Sequence, residues 1–224
     1  MLTHSRSRSD APRVSGTRAI TPAHTRQEDA VIIATPSPDV ADGLVSEIYA
    51  EDIEADGFVF AHTRAMAVNP EAYAAFEALV RTIVPSIGLR TYELATLGAA
   101  RGVGSRHCLL AHGRKTLDAG ILDAHELGLL MDDEADGVLS PADIAVFRYA
   151  YRLSTDSASM ADADSAALRD AGFTDRQIVD ITLAASVRNY LSRALQALAV
   201  PVDDVPRLDE ITVGRLLQAA RPAG

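Results

Sequence analysis

The sequence contains one cysteine and no tryptophan, and Lys115 is its single lysine. Cys108 alone excludes an internal disulfide and any cysteine-rich zinc centre. Basic side chains are also in deficit: 21 Lys and Arg face 31 Asp and Glu, for a formal net charge of −10. That balance argues against phosphate backbones and anionic lipid surfaces, so neither a nucleic-acid nor a membrane partner is expected. No apolar run approaches the roughly 20 residues of a membrane-spanning helix, and none has the length of a secretory signal. The glycine-containing stretch Gly102-Val-Gly104-Ser105 lacks the lysine of a phosphate loop and follows a helical pattern instead of a strand. No internal repeat is present, and no cofactor or metal is expected.

What is present is a chain of 224 residues, 48% of them apolar, long enough to bury one sizeable core. The expectation is a cytoplasmic globular protein. Residues 1–28 hold five arginines (Arg6, Arg8, Arg13, Arg18, Arg26) against Asp10 and Glu28, without apolar periodicity. Residues 1–36 are therefore expected to be a disordered basic tail. A helical domain should span 37–203, and 204–224 should be a C-terminal extension with one helix, Leu208 to Ala219.

The periodicity is helical almost throughout, and the fold class expected is all-α. Val40, Leu44, Val45, Ile48 and Tyr49 share one stripe of a first helix. Pro70 can open a second, carrying Tyr73, Phe76, Leu79, Val80 and Ile83, which Pro85 should end. A third runs from about Leu89 to Arg101. Gly102 to Gly104 breaks the chain, and Ser105 stands where an N-cap belongs, opening a helix to about Asp118. A short helix follows over His125 to Met131. Ser140-Pro141-Ala-Asp143 opens another with Ile144, Phe147, Tyr151 and Leu153. Ala161 to Ala171 is stopped by Gly172. Thr174 and Gln177 form a capping box for the longest helix, to about Leu198.

Chemistry concentrates in residues 93–112. Cys108 and His112 are four apart and project from one helix face. With Ser105 as N-cap, Cys108 lies in the first turn, where unpaired N–H groups and the positive end of the macrodipole favour a thiolate. Glu93 can fold back across the glycine hinge. A carboxylate, the imidazoles of His107 and His112 and a thiol together can relay protons. Each residue also has a plain reading: Cys108 as a small buried hydrophobe, Glu93 as a surface acid, His107 as a solvated side chain, Ser105 as an ordinary cap. Elsewhere, Asp132 to Asp143 has the outline of a calcium loop, but Ser140-Pro141 already explains it as a helix start. Arg188, Tyr190 and Arg193 can line a pocket; a solvated or subunit-facing helix face is the simpler reading.

The pattern Glu93, eleven residues, Ser105-Arg-His107-Cys108, three residues, His112 resembles the Glu-x11-Cys-x-x-Cys-x3-His signature of the AhpD-like alkylhydroperoxidases, within the carboxymuconolactone decarboxylase superfamily. The stretches Gly172 to Asp180 and Asn189 to Leu198 are similar to its peroxidase-related branch. The resemblance implies an all-helical AhpD-like fold assembling as a trimer or hexamer. It implies a peroxidatic Cys108 that reduces a hydroperoxide, with Glu93 as base and His112 and His107 as relay and orienting groups. A lipoylated or low-molecular-weight dithiol would serve as external reductant.

Ser105 takes the place of the resolving cysteine. A hydroxyl cannot trap a sulfenic acid as a disulfide, so three outcomes stay open. An external thiol resolves Cys108, Cys108 pairs with its counterpart in another subunit, or the pocket does something else. Two further readings stand beside peroxide reduction: a cofactor-free lyase acting on a small acidic lactone through Glu93 and His112, and a helical oligomer that senses oxidants or binds a partner.

Overall fold

Side-chain capping fixes where most of the helices begin. The structure, a computed structural model, describes residues 32–220. The expected basic tail therefore lies outside the described residues, except for 32–36. Asn69, Ser105, Asp123, Ser140, Thr174 and Asp209 each accept a backbone N–H from the first turn of the helix they precede, satisfying donors that have no intrahelical partner. Among the described residues there are nine α-helices and no strand: α1 Gly43–Asp56, α2 Ala61–Met66, α3 Pro70–Val103, α4 Arg106–Asp118, α5 Ala124–Met131, α6 Pro141–Asp156, α7 Asp162–Asp170, α8 Asp175–Ala197 and α9 Glu210–Ala219. The class is all-α, as the periodicity indicates.

Three details depart from the sequence pattern. Val40 is not on the first helix; it ends a 3₁₀ turn, Pro38–Val40, and is exposed, because Ala41 and Asp42 are extended and break the register. The short helix α2 has no counterpart in the periodicity. Pro85 sits inside α3, and the chain breaks three residues later at Gly88 (φ 77°, ψ 159°). A proline ring within a helix costs ~3 kcal/mol; burial of Ile83 and Ile87 on either side offsets it. Gly88 then adopts a conformation that only glycine takes cheaply. With that break counted, the uninterrupted 23 residues of α8 are the longest helix.

The second half of α3 is the axis of the core. Tyr92 to Ala100 are buried without interruption, because α4, α6 and α8 pack against different sides of it. Approach is closest at Gly98, where a Cβ would overlap the carbonyl oxygen of Phe147 on α6. Helix α9 covers α4 and α5, and its Leu216 is fully buried against Gly113. A second, smaller cluster joins Ile48, Tyr49, Met66 and Tyr73 to Leu191 and Leu195 of α8. By length and mean hydropathy α3 is long and apolar enough to cross a membrane, contrary to the expectation from apolar runs, although Gly88 interrupts it. Within the calcium-like loop three carboxylates are paired with arginines: Asp133 with Arg101, Asp136 with Arg148, Asp143 with Arg90.

Candidate functional site

The turn between α3 and α4 builds the site. Gly104 (φ 72°) returns its N–H to Ala100 and Arg101, closing α3. Ser105 then starts α4, its Oγ accepting the Cys108 N–H at 3.4 Å. This reversal lays α4 back along α3, which brings His112 against Glu93 and Cys108 into the same cleft. All four side chains are buried, Cys108 at 3% exposure.

His112 Nδ1–H donates to Glu93 Oε2 at 2.6 Å. Burial would raise the Glu93 pKa, but His112 beside it brings it below the ordinary carboxylate value. Burial, aided by Arg188, pushes His112 down to about 4 despite Glu93. The pair therefore holds a carboxylate and a neutral imidazole at neutral pH. With Nδ1 carrying the proton, Nε2 keeps a free lone pair, the form a general base requires. His107 is fixed differently: its Nε2 bonds the Pro201 carbonyl at 2.9 Å, leaving Nδ1 as acceptor, and burial lowers its pKa.

The Cys108 sulfur receives two donors from α8. Ser192 Oγ lies 3.2 Å away and Arg188 Nη1 3.7 Å away. Arg188 Nη2 reaches the Tyr92 hydroxyl at 3.2 Å. Burial opposes the Arg188 charge, yet Cys108 and Tyr92 hold its pKa above the ordinary guanidinium value.

Cys108, His107, His112, Glu93 and Arg188 line one cleft of about 240 Å³, whose apolar wall is Tyr73, Phe76, Val80, Leu191 and Leu195. It opens at the seam between the two hydrophobic clusters. A neighbouring cavity of about 230 Å³ shares His62, His107, Ala111 and Lys115 with it. The His62 and His107 rings meet edge-on, 6.5 Å apart, and burial pushes His62 down to about 3. Among the described residues, no group of three His, Cys, Asp or Glu converges as a metal site.

Glu93, Cys108, His107 and His112 thus come together. Ser105 touches Cys108 through its cap but is not part of the cleft lining. Tyr190 and Arg193 are exposed, whereas Arg188 is buried at 5% exposure and turned to the sulfur, so the solvated reading fails for that residue. The missed signal was register: Ile181, Ala184, Ala185, Arg188, Leu191, Ser192 and Leu195 form one buried stripe of α8, and Arg188 and Ser192 interrupt it where apolar residues belong. His62 and Tyr92 were also missed. His62 stands on the helix that lacked a periodic signal, and an aromatic beside a candidate carboxylate carries no pattern of its own.

No protein-family model matches the sequence, and no curated protein matches it. Solved structures do match the fold. An uncharacterized peroxidase-related protein from Ralstonia eutropha JMP134, described as an alkylhydroperoxidase AhpD core, is 19% identical with a TM-score of 0.65, over 86% of this chain and 98% of that one. A second peroxidase-related protein, from Silicibacter sp. TM1040, is 22% identical with a TM-score of 0.66, over 80% and 95%. The debrominase Bmp8 is 15% identical with a TM-score of 0.67, over 81% and 96%. A cysteine-to-alanine variant of it, bound to 2,3,4-tribromopyrrole, is 13% identical over 86% and 100%. The fold is AhpD-like.

Proposed function

We propose that this protein reduces hydroperoxides through Cys108 and is returned to its starting state by an external thiol. The observation that carries the reading is the thiol itself: Cys108 lines a cleft at the start of α4, beside an imidazole whose tautomer Glu93 fixes. In the first step the thiolate attacks the terminal peroxide oxygen, the O–O bond breaks and an alkoxide leaves. His112 Nε2 relays a proton from water to that alkoxide, giving an alcohol and a Cys108 sulfenic acid. In the second, an external thiol attacks the sulfenic sulfur and releases water, leaving a mixed disulfide. A second thiol, or the other arm of a dithiol such as a lipoyl group, then frees Cys108. Glu93 acts by orienting and polarising His112, and His107 is a further relay group in the same cleft. Cys108 is the single cysteine, so no second thiol is at hand in the chain, and resolution comes from outside the chain or from another subunit.

Assembly as a trimer or hexamer belongs to the same reading. Val179, Leu183 and Tyr190 are exposed on one face of α8, and the Phe76 and Tyr190 rings, 6.0 Å apart, join that face to the first half of α3. A face of this kind fits a closed subunit contact.

The test is a stoichiometric alkyl hydroperoxide pulse followed by mass analysis of Cys108. One added oxygen is expected, or an adduct when a small thiol is present, with no consumption by Cys108→Ala. Two parallel arms use 2,3,4-tribromopyrrole with bromide release as readout, and a small acidic lactone. Bromide release without peroxide consumption would assign the thiol to dehalogenation. Lactone turnover by Cys108→Ala would assign the cleft to proton transfer alone.

A further inference from the structure

Arg188 is a buried cation without a carboxylate partner. Its charged end is inside the protein, and among the described residues no Asp or Glu forms an ion pair with it, although Glu93 in the same cleft feels its charge. Its hydrogen bonds go to Cys108 Sγ and the Tyr92 hydroxyl, and its Nε has no partner. A guanidinium taken out of water is strongly unfavourable unless an anion accompanies it. Of the two groups it touches, a thiol belongs to the more acidic class, and a second donor, Ser192 Oγ, is aimed at the same sulfur.

We propose that Arg188 is the fixed counter-ion of a Cys108 thiolate, and so a catalytic residue in direct contact with the reacting sulfur, with Ser192 as its second hydrogen-bond donor. The other groups around the cleft do not supply that charge. From α3, Glu93 is engaged with His112. From α2 and α4, burial holds His62 and His112 neutral, at about 3 and about 4, and lowers His107. Lys115, also on α4, lines the cleft, where burial of its ammonium lowers its pKa, and Glu77 and Arg81 line it from the first half of α3; none of the three has a hydrogen bond to Sγ among the described residues. Among the described residues, the α8 guanidinium is the cation within hydrogen-bonding distance of Sγ. The proposal rests on Cys108 being the reacting group, but not on hydroperoxide being what it reacts with.

The test therefore uses no hydroperoxide. Alkylation of the full chain by iodoacetamide, followed by mass across a pH series, reports the reactive form of Cys108. Arg188→Met should slow alkylation at neutral pH by about tenfold or more and move the whole profile to higher pH, since an opposite charge at this range is worth one or more pKa units. Arg188→Lys should recover part of the loss. A profile for Arg188→Met that superimposes on the parent overturns the proposal. A second measurement needs only the parent protein: alkylating a thiolate releases no proton, whereas alkylating a thiol releases one. Release well below one proton per Cys108 at neutral pH supports the ion pair even where Arg188→Met does not fold, and release of a full proton overturns it. Peroxide inertness with both results positive would leave the counter-ion standing and remove only the peroxidase reading.

Discussion

Glu93 and His112 are 19 residues apart in the chain and joined by a 2.6 Å hydrogen bond inside the protein. The bond forms because α3 and α4 reverse at Gly104, and it does two things at once. It fixes the imidazole tautomer, and it offsets the upward push that burial gives the Glu93 carboxyl. Glu93→Gln keeps the shape of the side chain but removes that charge and frees the ring to flip. The variant should remain folded by circular dichroism and consume hydroperoxide about tenfold to a hundredfold more slowly, the size typical of losing a proton-transfer group. Equal single-turnover rates would remove Glu93 from the mechanism.

The pH dependence of stability follows from the same pair. His112 is held near 4 in the folded state, below its ordinary value of 6.5, and His62 near 3. A group with a lowered folded pKa adds stability that is complete above its unfolded pKa and is lost as pH falls towards the folded one. Glu93, also lowered, acts in the same direction. The melting temperature should therefore fall between about pH 6.5 and pH 4, with a shallower slope for His112→Gln than for the parent. Identical slopes would show that His112 is not buried neutral.

Helix starts were legible because their chemistry is local: Ser105, Ser140 and Thr174 act within three residues of themselves. The motif from Glu93 to His112 was legible for a related reason, since fixed spacing on two adjoining helices leaves little freedom in how they meet. Arg188 was not, because its partner is 80 residues away and a charged residue on a helix is ordinarily solvated. Pro85 misled in the opposite direction. Proline ends most helices, and here packing of Ile83 and Ile87 overrides the rule and moves the break to Gly88.

Assembly can be probed on α8. Leu183 is 39% exposed and lies one turn from Val179 on the same face. Leu183→Arg places a charge at the centre of that apolar face without touching the cleft. Light scattering should give several chains for the parent, trimer or hexamer, and a smaller species for the variant. A parent that sediments as a monomer at micromolar concentration would contradict the assembly carried over from the family resemblance.

Ser105 allows the sharpest test of the motif. It is buried, its hydroxyl accepts the Cys108 N–H, and it starts the helix on which the thiol stands. If it occupies the position of a resolving sulfur, Ser105→Cys should form an internal disulfide with Cys108 after one equivalent of hydroperoxide, read as the loss of two hydrogens by mass and of all free thiol. Two residues separated by one helical turn at a helix start are close enough to bridge with little backbone movement. The substitution also removes a cap, so the reduced variant should lose about 1 kcal/mol of stability. A dithiol should reopen the bridge and sustain turnover, whereas the parent under the same pulse gains one oxygen or an adduct of the added thiol. Over-oxidised Cys108 with no bridge in the variant would mean that residue 105 only caps α4. Resolution would then have to come from a thiol entering the cleft itself, on the side walled by Leu191 and Leu195.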